Sequence, residues 1–99
     1  MIESFRSKEL KKFYDKGIRS GLNQTHIPKI RRILTQLDAA ADIQDLVDPS
    51  WGLLVLHGNL KGFWAKEVNG NWRITFRIEN GHVSDLDYLD FTKYYHVQS

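Results

Sequence analysis

The chain has 99 residues, a hydrophobic fraction of 41% and no cysteine. A chain of this length forms one domain around a single core and buries roughly two-thirds of the surface that its unfolded form exposes. The absence of cysteine excludes disulfides, thiol chemistry and cysteine-based zinc sites. No apolar run approaches the roughly 20 residues needed to cross a bilayer, and charged residues near the start argue against a signal peptide. We therefore expect a cytoplasmic protein with no membrane partner.

The net charge is only +2, but the positive charge is concentrated in the first third of the chain. Residues 1–32 contain nine Lys or Arg and three acidic residues, whereas residues 38–48 contain four Asp and no basic residue. A basic segment of this kind indicates a negatively charged partner, either nucleic acid or an acidic protein. The alternative is that the segment forms two helices with ordinary solvated lysines.

The first half of the chain predicts a short strand followed by two helices. Residues 2–5 alternate in polarity, and Ser7 is a suitable N-cap for a helix over residues 8–16. Thr25 is a suitable N-cap for the second helix, whose first turn contains Pro28, where the missing N–H breaks no helix hydrogen bond. Apolar residues then recur at helical spacing, which predicts one buried face for this helix.

The second half of the chain predicts strands at residues 53–56, 62–68, 72–79 and 83–89. Asn-Gly pairs separate the last three strands, and Asn-Gly readily adopts the positive φ values of tight hairpin turns, so these strands should form an antiparallel meander. The predicted fold is α+β with the element order β-α-α-β-β-β. Two N-terminal helices should pack on a small, twisted, mainly antiparallel sheet. Residues 1–99 are predicted to be one domain, with residues 92–99 as a candidate C-terminal tail.

The strand at residues 72–79 has the clearest alternation in the chain. Its apolar residues should pack under the helices, while its other face should present Arg73, Thr75 and Arg77 to solvent. A guanidinium on this face can bind a phosphate in a bidentate way and stabilise the charge of a phosphorane-like transition state. Alternatively, Arg73 is only an exposed partner of an acidic residue on a neighbouring strand.

The loop that follows the strand at residues 53–56 contains two further candidates for phosphate chemistry. His57 can exchange protons near neutral pH, and Lys61 can neutralise a phosphate as a point charge. A single loop histidine is more often simply solvated, so both readings of His57 stay open. His26 is expected to be an exposed residue at a helix N-terminus and His82 a hairpin residue, and two isolated histidines predict no metal site.

A family resemblance is carried by segments from both halves of the chain. They are Met1–Phe5, Leu37–Ala40, Leu56-His57, Lys61-Gly62, Phe63-Trp64 and Asn71–Phe76. In these segments the chain resembles the HigB-type toxins of the RelE/ParE superfamily. The resemblance covers roughly residues 1–91, and its most specific part is the run Trp-Arg-Ile-Thr-Phe.

This resemblance implies the toxin of a type II toxin–antitoxin pair, with a RelE-like fold. Such a toxin is a ribosome-dependent endoribonuclease that cleaves mRNA and so inhibits translation. The implied chemistry is transesterification without a metal or other cofactor, in which a 2′-oxygen attacks the adjacent phosphate. The implied partners are the ribosome, mRNA and a cognate HigA-like antitoxin that carries a DNA-binding helix-turn-helix.

The resemblance also implies roles for individual residues. His57 and His96 would be the general acid and base, and Arg73 with Lys61 would stabilise the pentavalent phosphorane. Asp90 would orient a base or the RNA. The basic side chains expected to contact RNA are Lys8, Lys11, Lys12, Arg31, Arg32 and Arg77.

The C-terminus departs from the family pattern. The family commonly ends its last strand with Asp-Tyr-His, where this chain has Asp90, Phe91 and Thr92. Neither Phe nor Thr acts as an acid or base near pH 7, although a Tyr-His pair follows at residues 95–96. Either the chain bends so that this pair reaches the site, or the tail is unrelated to it. The departure keeps two alternatives open: a ParE-like toxin that inhibits DNA gyrase, and a catalytically degenerate homologue that only binds an antitoxin.

Overall fold

In the computed structural model of the protein, residues 1–94 are described, apart from the side chain of Tyr94. The helices are α1 (Lys8–Lys16), α2 (Ile27–Ala39) and α3 (Phe91–Tyr94), and the strands are β1 (Leu53–Val55), β2 (Trp64–Asn69), β3 (Trp72–Glu79) and β4 (His82–Asp90). Short 3₁₀ turns occur at Gln24–His26, Ile43–Leu46 and Gly58–Leu60. Across this part of the chain, no helix is both long enough and apolar enough to cross a membrane.

Local sequence signals set the ends of the first helix. The Ser7 hydroxyl accepts a backbone N–H of the first turn at 3.1 Å, and Gly17 ends α1 in the left-handed conformation with φ 70°. Both ends of α1 are therefore confirmed. The N-cap predicted for the second helix was wrong, because the side-chain cap in this region comes from Asn23 and not from Thr25. Asn23 caps a 3₁₀ turn, and α2 begins only after it, at Ile27.

The four strands form one antiparallel sheet in chain order, which confirms the α+β class and the predicted meander. Each of the four strand segments expected in the second half forms, so four strands follow the helices instead of the three in the predicted element order. Residues 2–5 do not form a regular strand. They make two isolated parallel bridges to β4, at Ile2 with Val83 and at Phe5 with Leu86.

The two sides of the sheet are covered unequally. On the helix side, α1 and α2 pack against the sheet and build the main core, whose fully buried members include Phe76, Leu10, Ile30, Ile33, Leu37, Ile74 and Leu86. We call the opposite side the outer face. A smaller group of side chains, the outer cluster, lies there and consists of Leu56, Leu60, Phe63 and Ala65, with Leu89 and Phe91 packed against it.

The outer cluster overturns one prediction for β3. The apolar residues of this strand lie under the helices as expected, but Thr75 on the opposite face is only 1% exposed. Thr75 is paired with Ala65 on β2, so the outer cluster covers it. Arg73 is half-buried and Arg77 is exposed. The outer face therefore presents guanidinium groups around an apolar patch and no free hydroxyl at Thr75.

A buried histidine also departs from expectation. His26 was predicted to be exposed, but its side chain is 3% exposed and its Nδ1 lies 2.6 Å from the hydroxyl of Tyr88. The rings of Trp72 and Tyr88 stack with centroids 4.5 Å apart, and the edge of His26 packs near both. Burial lowers the pKa of His26, so the imidazole is neutral in the folded protein at pH 7. His26 is thus a core residue.

Candidate functional site

Arg73 is fixed on the outer face at the β2–β3 hairpin. Its Nη1 donates to the carbonyl oxygens of Gly70 and Trp72, and its guanidinium carbon lies 5.6 Å from the centroid of the Phe91 ring. Glu67 is its neighbour on β2, but the ion pairs found among residues 1–94 do not include these two side chains. Its Nε is buried and has no hydrogen-bond partner within that range. This guanidinium is therefore held in place, and its positive charge has no ion-pair partner among the described residues.

The turn that carries His57 and Lys61 is anchored by the outer cluster. It is a 3₁₀ turn at Gly58–Leu60 that connects β1 to β2, closed by backbone hydrogen bonds of 3.4 Å and 3.1 Å. Leu56 and Leu60 are 3% and 8% exposed, whereas His57 and Lys61 are exposed. The apolar residues hold the turn against the sheet, and the two polar residues between and after them remain accessible to a ligand.

Two guanidinium groups share the ring of Phe63. The guanidinium carbon of Arg77 lies 5.6 Å from the ring centroid, and that of Arg6 lies 4.7 Å from it. Arg6 follows the bridge between Phe5 and Leu86, so it comes from the N-terminal segment beside β4. Arg6 was missed at the sequence level, because no local pattern indicates that residues 2–5 pair with a strand about 80 positions away.

Asp90 lies at the end of β4 and caps α3. Its carboxylate accepts hydrogen bonds from the hydroxyl and the backbone N–H of Thr92, at 2.6 Å and 3.0 Å, and these bonds lower the pKa of Asp90. Asp90 pairs with Trp72, which packs against the main core, so by register its side chain leaves the strand on the side opposite Arg73. The carboxyl group is an acceptor at neutral pH. His96 lies outside the described residues.

Most of the predicted RNA-binding residues lie on the helices and not on the outer face. Lys11 forms an ion pair with Asp15 at 2.5 Å, and the guanidinium of Arg31 lies 5.7 Å from the ring centroid of Phe13. The other helical members of the set are exposed: Lys8, Lys12 and Arg32. Because α1 and α2 pack on the opposite side of the sheet, Arg77 is the one member of this predicted set on the outer face.

The outer face can therefore bind anions and exchange protons. It combines a fixed guanidinium at Arg73, a pair of guanidiniums at Phe63, and the exposed His57 and Lys61 in one turn. Guanidinium groups match the oxygens of a phosphate, and histidine accepts or donates a proton near pH 7. Among residues 1–94, no group of three or more His, Cys, Asp or Glu side chains is arranged to hold a metal ion.

The fold is that of bacterial toxins from toxin–antitoxin systems. A chain of the YoeB–YefM complex from Staphylococcus aureus aligns with a TM-score of 0.56 and 18% identity, covering 90% of this chain and 95% of that one. YafQ from E. coli strain BL21(DE3) aligns with a TM-score of 0.57 and 10% identity, covering 97% and 98%. At these identities the likeness concerns the fold alone.

The sequence comparisons identify the family. The family model described as "RelE-like toxin of type II toxin-antitoxin system HigB" matches residues 3–92. The chain is 37% identical over 91 residues to Endoribonuclease HigB of Proteus vulgaris, covering 92% of this chain and 99% of that protein. It is 36% identical over 96 residues to Toxin HigB-1 of Vibrio cholerae, covering 95% and 100%. The chain therefore belongs to the HigB-like toxin family, which confirms the resemblance.

Proposed function

We propose that the protein is the toxin of a type II toxin–antitoxin pair and that it cleaves mRNA on the ribosome. The observation that carries this proposal is Arg73, whose guanidinium is fixed on the outer face by backbone carbonyls and forms no ion pair among residues 1–94. The supporting comparison is the 37% identity, over nearly the whole chain, to a protein named as an endoribonuclease. As part of this proposal, the protein acts in the cytoplasm, where ribosomes translate mRNA.

The proposed reaction is a transesterification at one phosphate of the RNA. The 2′-oxygen attacks the adjacent phosphorus, the bond from phosphorus to the 5′-oxygen breaks, and the products are a cyclic phosphate and a free 5′-hydroxyl. Arg73 binds the phosphate and stabilises the charge that develops on the pentavalent phosphorane. Lys61 supplies a second positive charge. His57 exchanges a proton with the 2′-hydroxyl or with the leaving oxygen.

Asp90 has a positioning role in this mechanism. Its carboxylate is hydrogen-bonded to Thr92 and caps α3, and Phe91, the first residue of α3, lies under the guanidinium of Arg73. Asp90 thereby acts on the site through the ring that supports Arg73. The predicted role of His96 as the second proton-transfer group remains a prediction, and so does the contact of the helical basic residues with ribosomal RNA.

The proposed partner in the resting cell is a cognate antitoxin. Two of the structures with this fold are complexes of this kind, YoeB–YefM from Staphylococcus aureus and DinJ–YafQ from E. coli. A HigA-like antitoxin with a helix-turn-helix is the expected form for a HigB-like toxin. It would neutralise the protein until the antitoxin is removed.

Phe91 and Thr92 stand where the family commonly has Tyr and His, and this favours an alternative in which the protein binds its target without cleaving RNA. Such a protein would be either a ParE-like toxin that inhibits gyrase or a degenerate homologue that only binds an antitoxin. Both alternatives keep the fold and the antitoxin partner, so a test must measure RNA cleavage directly and not only growth.

The test is expression in a heterologous bacterium without an antitoxin, followed by mapping of mRNA 5′ ends. We expect the parent to arrest growth and create new 5′-hydroxyl ends within coding regions. Arg73→Ala should do neither, while Arg19→Ala, which removes an exposed arginine from the loop after α1, should behave as the parent. Growth arrest with intact mRNA and blocked gyrase supercoiling would establish the ParE-like reading instead. Normal growth with soluble, folded parent protein would establish the degenerate one.

A further inference from the structure

We propose that Arg6, Phe63 and Arg77 form a second anion-binding site, which takes the sugar-phosphate backbone of RNA at a point away from the phosphate held by Arg73. This inference rests on the proposed function in one respect, namely that RNA is the ligand of the outer face. It adds Arg6 to the binding residues and gives Phe63 a role beyond packing.

The geometry of this site is set by one buried ring. Phe63 is 6% exposed and belongs to the outer cluster, so its ring cannot turn away. The guanidinium carbons of Arg6 and Arg77 lie 4.7 Å and 5.6 Å from its centroid. Both side chains are exposed apart from this contact. The ring therefore orients two planar cations that would otherwise sample many rotamers, which reduces the entropy lost when they bind a ligand.

The arginines of this site form no ion pair within the described chain. Among residues 1–94, Lys11 pairs with Asp15, and His82 contacts Glu3, which is an ion pair only when the histidine is protonated; neither contact involves these arginines. Both guanidiniums therefore keep their full positive charge beside one ring, and we assign the site to a negatively charged ligand.

The chemistry favours the RNA backbone over the bases. Guanidinium groups bind phosphate oxygens through two parallel hydrogen bonds. The Phe63 ring is buried and covered by the two guanidiniums, so no base can stack on it. Lys61 lies two residues before Phe63 in the exposed turn and adds a third positive charge beside the site. A chain with a phosphate at every nucleotide can contact this site and Arg73 together.

Arg6 also borders a neighbouring groove, which we do not include in the anion site. This groove of about 420 Å³ lies between the start of α1 and β4, and Lys8, Trp72 and Tyr88 line it together with Arg6. Glu9 and Asp87 line the same groove, so its charge is mixed. Neither of these acidic residues forms an ion pair with Arg6, and we assign the anion site to the Phe63 side of Arg6 alone.

The test is the salt dependence of binding to an RNA that cannot be cleaved. The probe is a fluorescent oligonucleotide with 2′-O-methyl groups throughout, and the second ligand is the purified ribosome with and without mRNA. Each phosphate contact to a single strand contributes about 0.7 to the slope of log K against log salt. Arg6→Gln and Arg77→Gln should each reduce the slope by about 0.7. The control Arg19→Gln, which removes the same charge from the loop after α1, should leave the slope unchanged.

The conservative variant separates charge from geometry. Arg6→Lys keeps the charge, so the slope should be retained, but affinity should fall because an ammonium group cannot bind in a bidentate way. If Arg6→Gln weakens binding to the oligonucleotide and to mRNA-loaded ribosomes but not to empty ribosomes, the ligand is mRNA. If Arg6→Gln weakens binding to empty ribosomes equally, the ligand is ribosomal RNA. Either result supports the site, provided that the urea midpoint of the variant equals that of the parent.

Three outcomes would overturn the proposal. One is that Arg6→Gln matches Arg19→Gln, another is that the loss in Arg6→Gln is explained by a lowered urea midpoint, and the third is that the parent binds neither RNA. Because the oligonucleotide cannot react, binding is measured independently of cleavage. If the parent cleaves mRNA and Arg6→Gln binds RNA normally, the anion site is refuted and the proposed function stands. If the parent never cleaves mRNA but the variants change the slope as expected, the anion site stands and the proposed function is refuted.

Discussion

The two sides of the sheet differ in what their side chains do. Among residues 1–94, the main core on the helix side contains 17 buried apolar residues, whereas the outer cluster contains four. The free energy of folding therefore comes mainly from the helix side. The outer cluster is too small to stabilise the domain and instead sets the positions of the 57–61 turn and of the arginines around it.

The cations on the two sides also differ. On the helices, Lys11 is paired with Asp15 in the usual manner of an exposed helix surface. On the outer face, Arg73 is held by backbone carbonyls, and Arg6 and Arg77 are held by a ring. The density of basic residues along the sequence is therefore a poor guide to the proposed anion site. The arginines of the outer face are fixed in place and form no ion pair with the described acidic side chains.

Matched leucine substitutions should show the largest difference between the two sides. Leu86→Ala removes a fully buried side chain from the main core and should lower the free energy of unfolding by about 3 to 5 kcal/mol. Leu60→Ala should cost about 2 kcal/mol, because that side chain lies near the surface of a small cluster that can collapse. Urea denaturation measures both values. Equal losses would contradict the assignment of stability to the helix side.

Arg73→Lys should show a smaller but clear effect confined to activity. The lysine keeps the positive charge but loses the planar fork, so cleavage should fall about tenfold, which corresponds to roughly 1.4 kcal/mol of transition-state stabilisation. The measurement is the rate of mRNA cleavage on purified ribosomes. Arg19→Lys, in the exposed loop after α1, is the control and should cleave at the parental rate. Parental activity in Arg73→Lys would show that only charge matters at this position.

Tyr14→Phe should reveal a pH-dependent bond on the helix side. The Tyr14 hydroxyl donates to the Asp38 carboxylate at 2.6 Å, which lowers the pKa of Asp38 and raises the pKa of Tyr14 to about 12. A lowered carboxyl pKa stabilises the fold above its ordinary value of 3.8, and that stability is lost as the pH falls through the lowered value. The raised pKa of Tyr14 stabilises the fold below its ordinary value of 10.0, and that contribution is lost as the pH rises towards about 12.

The size of this effect is limited by solvent. Tyr14 is 36% exposed, so we expect Tyr14→Phe to cost about 1 kcal/mol at pH 7 and not the full value of a buried charged hydrogen bond. The difference between parent and variant should shrink at pH 3 and again above pH 10. Urea midpoints at the three pH values measure it, and a difference that stays constant with pH would exclude this bond as its source.

Lys11→Ala should have the smallest effect. Its ion pair with Asp15 is exposed and spans one helical turn, so its loss should cost about 0.3 to 0.5 kcal/mol at low salt. At 1 M salt the difference should vanish, because the screening length falls to about 3 Å. Thermal melts at the two salt concentrations measure it. A loss above 1 kcal/mol that resists salt would show that Lys11 does more than form a surface pair.

The parts of the fold that were predictable from sequence are those decided by neighbouring residues. The ends of α1 follow from Ser7 and Gly17, and the Asn80-Gly81 hairpin has the two positive φ values, 52° and 79°, that its turn requires. The burial of Thr75 was not predictable, because its cover comes from a loop elsewhere in the chain. The exposure predicted for His26 was wrong for the same reason, since its partner Tyr88 lies 62 positions away.

The site was predictable only in part, for a related reason. Arg73 and Arg77 are visible in the alternation of one strand, and His57 and Lys61 in one loop. Arg6 carries no such signal, because its place on the outer face depends on a pairing between the two ends of the chain. Strand alternation indicates a face, but only tertiary structure shows which distant segment completes that face.

The pairing of the N-terminal segment with β4 has a consequence during synthesis. The hydroxyl of Ser4 accepts the N–H of Asp85 across 81 positions, and residues 2–6 have no other strand to join until β4 has been made. Synthesis proceeds at about 5 to 20 residues per second, so on the order of 4 to 16 seconds pass after Arg6 is made before β4 exists and Arg6 can contact Phe63. The complete outer face therefore does not exist on a nascent chain that lacks β4. A ribosome that makes this protein is therefore exposed to the complete outer face only after β4 has been translated.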